Sequence, residues 1–317
     1  MARSTVPARL TTAREGLQQT NRRFTATWWD SRARWIFPIP AVLAVGILVV
    51  FPLAYTAWMS LHAWSGSITD APQWIGLENF KRFVAEDTRS WLAVWRTLIF
   101  AGLAIVLQTF FGVSLALLLN REFRGKSIAR TIALLPMVTT PVVIAVMWTL
   151  ILNPTQGALP YIFSRLHLPQ VLWLSDPHIV IPALVMVDTW EWTPLIMLIT
   201  LAGLAALPTE PMEAARIDGA TAWQSFWRIT LPLLRPAIMV AVLFRAIDAI
   251  KTFDIIFAMT GGGPGNASET LNVYTFQTAF NYQKIGYASS LLVIFFAIVM
   301  GFSLLLIRLR RASSWQA

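Results

Sequence analysis

Glu210-Pro211-Met212-Glu213-Ala214-Ala215-Arg216-Ile217-Asp218-Gly219-Ala220-Thr221-Ala222-Trp223-Gln224-Ser225-Phe226-Trp227-Arg228-Ile229-Thr230-Leu231-Pro232 is a polar interruption between two long apolar stretches. Thr209 is placed to cap a helix that has Pro211 in its first turn, so Met212 to Asp218 reads as helical. Gly219 permits a tight bend that a side chain would obstruct. A second short helix then carries Trp223, Phe226 and Trp227 until Pro232 ends it. The product is a compact helix-turn-helix knob. One reading packs Ile217, Phe226 and Trp227 under the chain's own helices. The other makes the knob a docking element for a partner, since a short helix laid in a groove is a common recognition mode. The residue pattern leaves both open.

The flanking sequence places the knob on a membrane protein. Hydrophobic residues make up 56% of the 317 and charged residues 13%, where soluble domains carry roughly a quarter charged. Such a chain has too little polar surface to cover itself in water. Crossing the hydrocarbon core takes about 20 mostly apolar residues, and six stretches qualify, near 36–61, 94–119, 129–152, 179–206, 236–259 and 287–307. The expected fold is therefore all-α and polytopic, with six transmembrane helices. The net charge of +9 is distributed as topology-setting charge, without the aromatic–basic interleaving of a nucleic-acid face. Seven arginines precede the first span, four basic residues lie at 120–130, three in the 207–235 loop and three at the C-terminus. The opposite loops hold fewer, which puts both termini and the knob in the cytoplasm. The basic N-terminus resembles a signal peptide, but its apolar run is too long for one and no small-residue cleavage site follows. Residues 77–83 suit a short interfacial helix in the longest outside loop.

Catalytic tools are missing from the sequence. There is no cysteine, no phosphate-binding glycine loop with Lys-Ser/Thr, and no nucleophile elbow. His62, His167 and His178 fall in outside loops without ligand spacing, as solvated or interfacial histidines. No catalytic or metal site is expected. Polarity inside the membrane is concentrated elsewhere. Arg245, Asp248, Lys251 and Asp254 recur every third residue in the fifth span. Isolated at mid-membrane, they would cost about 10–14 kcal/mol together, so this helix must face a bundle interior or an aqueous path. Pairing at i,i+3 makes a structural ladder possible, and a lining of the transport path is the alternative. Span four adds Asp188-Thr189-Trp190-Glu191-Trp192-Thr193-Pro194. Carboxylates beside indoles are suited to sugars, the acids taking hydroxyl protons and the ring faces covering C–H surfaces.

The order Glu213-Ala214-Ala215, three residues, Gly219, nine residues, Ile229, one residue, Leu231-Pro232 resembles the EAA motif of binding-protein-dependent ABC importer permeases. The resemblance implies that this segment forms coupling helices seated in a cleft of an ATPase subunit. Glu213, Ala214, Ala215 and Gly219 would then set its geometry, and Ala220, Thr221 and Trp223 would touch the ATPase. Ile75-Gly76-Leu77-Glu78-Asn79-Phe80, Asp188-Thr189-Trp190 with Pro194, and Phe253-Asp254 followed by Thr260-Gly261-Gly262-Gly263-Pro264 are similar to the carbohydrate-uptake branch that contains the maltose permeases. That similarity implies substrate contacts at Asp188, Glu191, Trp192, Leu195, Arg245, Asp248, Ala249 and Thr252. It departs from the maltose permease in carrying charges where that protein has neutral groups.

The implied assembly is this chain with a second homologous permease, two ATPase subunits and an extracytoplasmic solute-binding protein in the cytoplasmic membrane. This chain would bind no cofactor, and ATP with magnesium would be held by the ATPase. The expected organisation is a basic cytoplasmic tail over residues 1–35, a six-helix transmembrane domain over 36–307 with the coupling loop 207–235 inside it, and a cytoplasmic tail over 308–317. The expected cargo is an oligosaccharide, disaccharide or polyol. Rival readings are an ion-coupled sugar carrier, a permease for a non-sugar solute such as glycerol phosphate, and a membrane enzyme using Asp188, Glu191 and Asp248.

Overall fold

The structure, a computed structural model, describes residue 33, residues 35–67 and residues 69–314. The expected N-terminal tail lies almost wholly outside the described residues, as does the end of the C-terminal tail. The chain forms two compact units that divide after Trp58. The first contains most of helix α1 (Ile39–Met59), an apolar helix whose middle turn is π-helical over Gly46–Val50. Its side chains up to Trp58 are exposed or half-exposed.

The second unit is an α-helical bundle with one two-residue antiparallel pairing, β1 (His62–Ala63) on β2 (Gln73–Trp74). Helix α2 (Glu78–Ala85) stands where the interfacial helix is expected. Its Asn79 donates to the Ser60 and His62 carbonyls at 2.8 and 3.0 Å, which pins the preceding loop. His62 itself is not solvated: it is buried, edge-on to Trp74 at 5.1 Å. Helix α3 (Thr88–Asn120) starts where the Asp87 side chain accepts from the Ser90 N–H at 3.1 Å. At 1.5 Å per residue its 33 residues extend about 50 Å.

Four helices among the described residues are long and apolar enough to cross a membrane: α1, α3, α7 (Val180–Ala205), and α13 (Ile285–Ser314) over its part Ile285–Arg308. The third expected span, 129–152, is not one rod. It is split into α4 (Lys126–Val138) and α5 (Pro141–Ile151), which meet at 99°. Pro141 is the cause. It holds Thr140 extended, at ψ 139°, and can only begin a helix. A short helix α6 (Ala158–Arg165) precedes α7. After α7 come α8 (Glu210–Ile217), α9 (Ala222–Ser225) and α10 (Leu231–Lys251).

The fifth expected span, 236–259, is also interrupted. Helix α10 carries Arg235, Arg245, Asp248 and Lys251, too many charges for an apolar crossing, and it stops at Thr252. Helix α11 (Asp254–Thr260) resumes after that break. Helix α12 (Leu271–Phe276) follows and runs through a π-turn to Asn281. At the far end α13 continues as helix to Ser314, beyond the boundary expected at residue 307.

Small residues hold the bundle together. The buried stripe of α3 includes Ala93, Ala101, Ala104, Gly112 and Ala116, and α3 makes its most extensive packing against α7. In a membrane, where helices gain nothing by hiding from lipid, such stripes allow the close approach that dispersion needs. Phe100, Ile144, Leu184, Val187 and Ile256 fill the main core between α3, α5, α7 and α11. A methyl carbon placed on Gly112 would lie 2.8 Å from Ile196 Cβ and 3.2 Å from the Met197 amide nitrogen. Gly112→Leu should therefore lower stability by about 1–3 kcal/mol, read as an earlier thermal transition of the purified chain in detergent, while the same change at the open Gly102 should not.

Candidate functional site

Three helices each bring one polar group to the same buried point. Helix α3 supplies Gln108, α7 supplies Asp188 and α10 supplies Arg245, and all three residues are fully buried. Arg245 Nη2 donates to Asp188 Oδ2 at 2.5 Å, and Arg245 Nε donates to Gln108 Oε1 at 2.7 Å. Gln108 Nε2 donates to Asp188 Oδ2 at 2.8 Å and to the Asp188 carbonyl at 3.1 Å. The remaining arm, Arg245 Nη1, reaches Asp248 Oδ2 at 3.0 Å, and the guanidinium lies 5.2 Å from the centre of the Trp192 ring. A planar fork with several fixed donors is what such a junction requires.

The fifth-span charges do not form a ladder. Of the expected i,i+3 rungs only Arg245–Asp248 closes. The main partner of Arg245 is on a different helix, because a fully buried guanidinium needs several acceptors that one helix face cannot supply. Gln108 is the residue that sequence reasoning missed. Its signal is a lone amide in the run Ile105 to Phe111, apolar but for it and Thr109, a group that must find a partner inside a bundle.

Beside this junction opens a cleft of about 130 Å³ lined by Trp192, Asp248, Lys251, Thr252, Phe253 and Asp254, with Pro141 and Ile255. The break at Thr252 creates it by turning the chain away from the axis of α10. Of the expected substrate residues, Trp192, Asp248 and Thr252 are gathered here. Arg245 and Asp188 lie behind the wall. Glu191 is buried on α7 with its Oε2 atom lacking a hydrogen-bond partner. Leu195 is half-buried and does not line the cleft. Ala249 packs with Ala101 and Ile250 on another face of α10.

The segment quoted at the outset builds a second site. Helix α8 ends in a Schellman motif: the Ala220 N–H donates to the Ala215 carbonyl at 2.9 Å and the Gly219 N–H to the Arg216 carbonyl at 3.2 Å. Gly219 supplies the left-handed residue at φ +76°. A Cβ there would meet nothing within 4 Å, so backbone conformation rather than crowding favours glycine. Thr209 stands at the start of α8 but its side chain makes no capping bond. The working cap is Thr221. Its hydroxyl accepts from the Gln224 N–H at 3.3 Å while Gln224 Oε1 accepts from the Thr221 N–H at 2.8 Å, a capping box legible as Thr-x-x-Gln.

Pro232 does not end the second helix. A π-turn over Phe226–Thr230 bonds the Leu231 N–H to the Phe226 carbonyl and carries α9 without a break into α10. The wider turn shifts pairing by one residue, so the missing N–H of proline is accommodated. The packed-under alternative holds only for Phe226, which is half-buried. Ile217 is 86% exposed and Trp223 71%, and Trp227 stacks edge-on to Trp223 at 5.5 Å with half its surface open. Ala215 is buried, while Glu213, Ala214 and Thr221 are exposed and Ala220 is half-buried.

Residues 108–313 match the family described as the binding-protein-dependent transport system inner membrane component. The chain belongs to this family. It is a multi-pass membrane permease component of an ABC importer, not an enzyme. The trehalose/maltose transport system permease MalF of Thermococcus litoralis is 34% identical over 285 residues, 89% of this chain and 95% of that protein. The sulfoquinovosyl glycerol transport system permease SmoG of Agrobacterium fabrum is 32% identical over 275 residues, covering 86% and 88%. In shape the permease is similar to a chain of a bacterial ABC transporter involved in import of the acidic polysaccharide alginate. That match has a TM-score of 0.78 at 21% identity and covers 90% and 99% of the two chains.

Removing one partner of the buried junction should destabilise the permease strongly. Arg245→Met leaves Asp188 uncompensated and should cost about 3–5 kcal/mol, whereas Arg245→Met with Asp188→Leu should recover much of that loss. Thermal unfolding of four detergent-purified proteins, wild type, Arg245→Met, Asp188→Leu and the double variant, checks it, and additive losses would contradict the pairing.

Proposed function

We propose that this permease carries a neutral sugar, a disaccharide, an oligosaccharide or a polyol, and that its knob receives the stroke of a cytoplasmic ATPase. The observation that carries the proposal is the exposure of Ile217, Trp223 and Trp227 on a rigidly terminated turn. Aromatic anchors presented on short helices are what a groove on a partner recognises. Glu213, Ala214, Ala215 and Gly219 shape the turn, and Ala220, Thr221 and Trp223 meet the ATPase. In this reading the chain has six spans, α10 and α11 making one broken crossing shielded from lipid. Both termini are cytoplasmic, and the assembly includes a second homologous permease, two ATPase subunits holding ATP and magnesium, and an extracytoplasmic solute-binding protein.

The cleft supports the substrate class. Asp248 and Thr252 present acceptors to hydroxyl groups, and Trp192 offers a ring face beside them. Glu191, Leu195 and Ala249 would join only in another state of the transport cycle, and Asp188 and Arg245 act by holding the wall. Of the charges lining the cleft, Asp248 is already paired with Arg245, and Asp254 and Lys251 are opposite in sign. That balance favours an uncharged polyhydroxyl cargo over a sulfonated or phosphorylated one. The relatives named for trehalose/maltose and for sulfoquinovosyl glycerol support a glycoside in either case. An ion-coupled carrier would transport without ATP hydrolysis and has no use for the exposed knob.

Gly219→Asp tests the coupling directly. Aspartate tolerates the left-handed conformation better than most residues, at a local cost of about 1–2 kcal/mol, so the variant should insert and fold. Sugar uptake by the assembled importer should nevertheless be abolished. Wild-type uptake in an inserted variant would sink the coupling role, and uptake by this chain alone under an ion gradient would sink the importer reading.

A further inference from the structure

At the other end of α3 from the knob, the chain builds a basic, tyrosine-lined pocket of about 270 Å³. Its wall comes from α2 (Arg82), the first turn of α3 (Arg89), α12 with its π-turn (Tyr274, Thr278), the segment leading into α13 (Tyr282, Lys284) and the first turn of α13 (Tyr287). Internal bonds make the frame rigid. Arg89 is held in a fork by the buried Glu269, Nε to Oε2 and Nη2 to Oε1 both at 2.7 Å, and also donates to Tyr282 Oη at 3.2 Å. Tyr274 and Tyr287 both donate to Asp87 Oδ2 at 2.5 Å. Burial alone would push the Asp87 carboxyl up, but these hydrogen bonds, with those from the Ser90 and Arg89 amides, hold it below the usual range. Both acids of the frame are thus already committed.

Two cations are left over. Arg82 lies over the Tyr287 ring at 4.8 Å, and Lys284 reaches the pocket from the turn before α13. Both are exposed, and neither makes an ion pair among the described residues. Thr278, 1% exposed, closes the wall beside Tyr274. Two cations without an ion-pair partner among the described residues, set among rigid tyrosine faces, describe a receptor for one carboxylate. Arginine and tyrosine are also the residues that dominate protein–protein hot spots.

We infer that this pocket receives an aspartate or glutamate side chain of the extracytoplasmic solute-binding protein and so anchors it above the translocation path. The inference rests on the importer reading and its orientation. The about 50 Å length of α3 then puts the pocket at the outer surface, because the knob lies at the inner one. Arg82 and Lys284 hold the carboxylate, and Arg89 is the positioning residue that keeps Tyr282 and Glu269 in place.

The test uses the assembled importer in nanodiscs of uncharged phosphatidylcholine, with its solute-binding protein titrated in and ATP hydrolysis followed. Arg82→Gln with Lys284→Gln should raise the half-saturating concentration of binding protein about tenfold and flatten its salt dependence, with the maximal rate retained. A charge-reversing Lys284→Glu should raise it further. Unchanged half-saturation in these variants overturns the pocket while leaving the importer reading intact. Loss of the effect only when phosphatidylglycerol is added would assign the pocket to a lipid headgroup and equally overturn it. No stimulation of the wild type by any binding protein would instead count against the importer reading itself.

Discussion

The ion pair between Arg245 and Asp188, bridged by Gln108, sets the arrangement of α3, α7 and α10. Each of these groups would be costly on an isolated helix in lipid, and none is fully satisfied by its own helix, Arg245 finding only Asp248 there. Joined, they make their bonds to one another, with Asp188 Oδ2 taking both donors and Oδ1 left without a partner, only when the three helices meet at one depth and one rotation. Apolar packing alone is permissive, since small-residue stripes slide with little change in contact. A buried fork that must find two acceptors on two other helices is not. The junction also aims the second arm of Arg245 at Asp248, whose side chain is 46% exposed. The same guanidinium therefore locks the bundle on one side and fixes an acid at the cleft on the other.

A similar arrangement recurs at the opposite end of α3. Arg89 ties the loop residue Glu269 to the start of α3, and Thr97 accepts from the Leu271 N–H at 2.9 Å just below. The glycine-rich loop after α11 is thereby fastened across α3, which positions α12 and the entry to α13. Two buried carboxylates, Asp188 and Glu269, each held by an arginine far away in sequence, thus brace the bundle at separate levels.

Much of this was legible in the sequence, and the failures share a cause. The apolar runs that became α1, α3, α7 and α13 declared themselves by length, because burial in lipid is recorded in composition. The bend after Gly219 was readable because a left-handed residue nearly demands glycine. The prolines misled in both directions. Pro141 broke a run that counted as one span, while Pro232 was absorbed by a π-turn and broke nothing. A proline's effect depends on whether the turn before it can shift its hydrogen bonds, which neighbours decide. The partners of Arg245 were illegible for the same reason. Its i,i+3 neighbours are visible along the chain, whereas Asp188 and Gln108 become neighbours only after three helices have packed.

The absorbed proline bears on mechanism. Had the chain broken at Pro232, the knob would be a hinged appendage, and force on Trp223 would be lost in loop motion. Helical backbone instead continues from Ala222 through the π-turn and along α10 to Lys251. Trp223 and Arg245 lie on one rod, about 33 Å apart at 1.5 Å per residue. Displacing the knob must then move the rod, and moving the rod must strain or shift the Arg245 junction. The softest element between them is the π-turn itself, with its wider hydrogen-bonded rings and the prolines 232 and 236 just beyond. If the knob is driven as proposed, a rod with one wider turn near that end would transmit rotation while tolerating misalignment of the partner. A junction of short charged bonds at the other end has few intermediate geometries, so in that reading the motion would be resolved into discrete arrangements rather than continuous flexing.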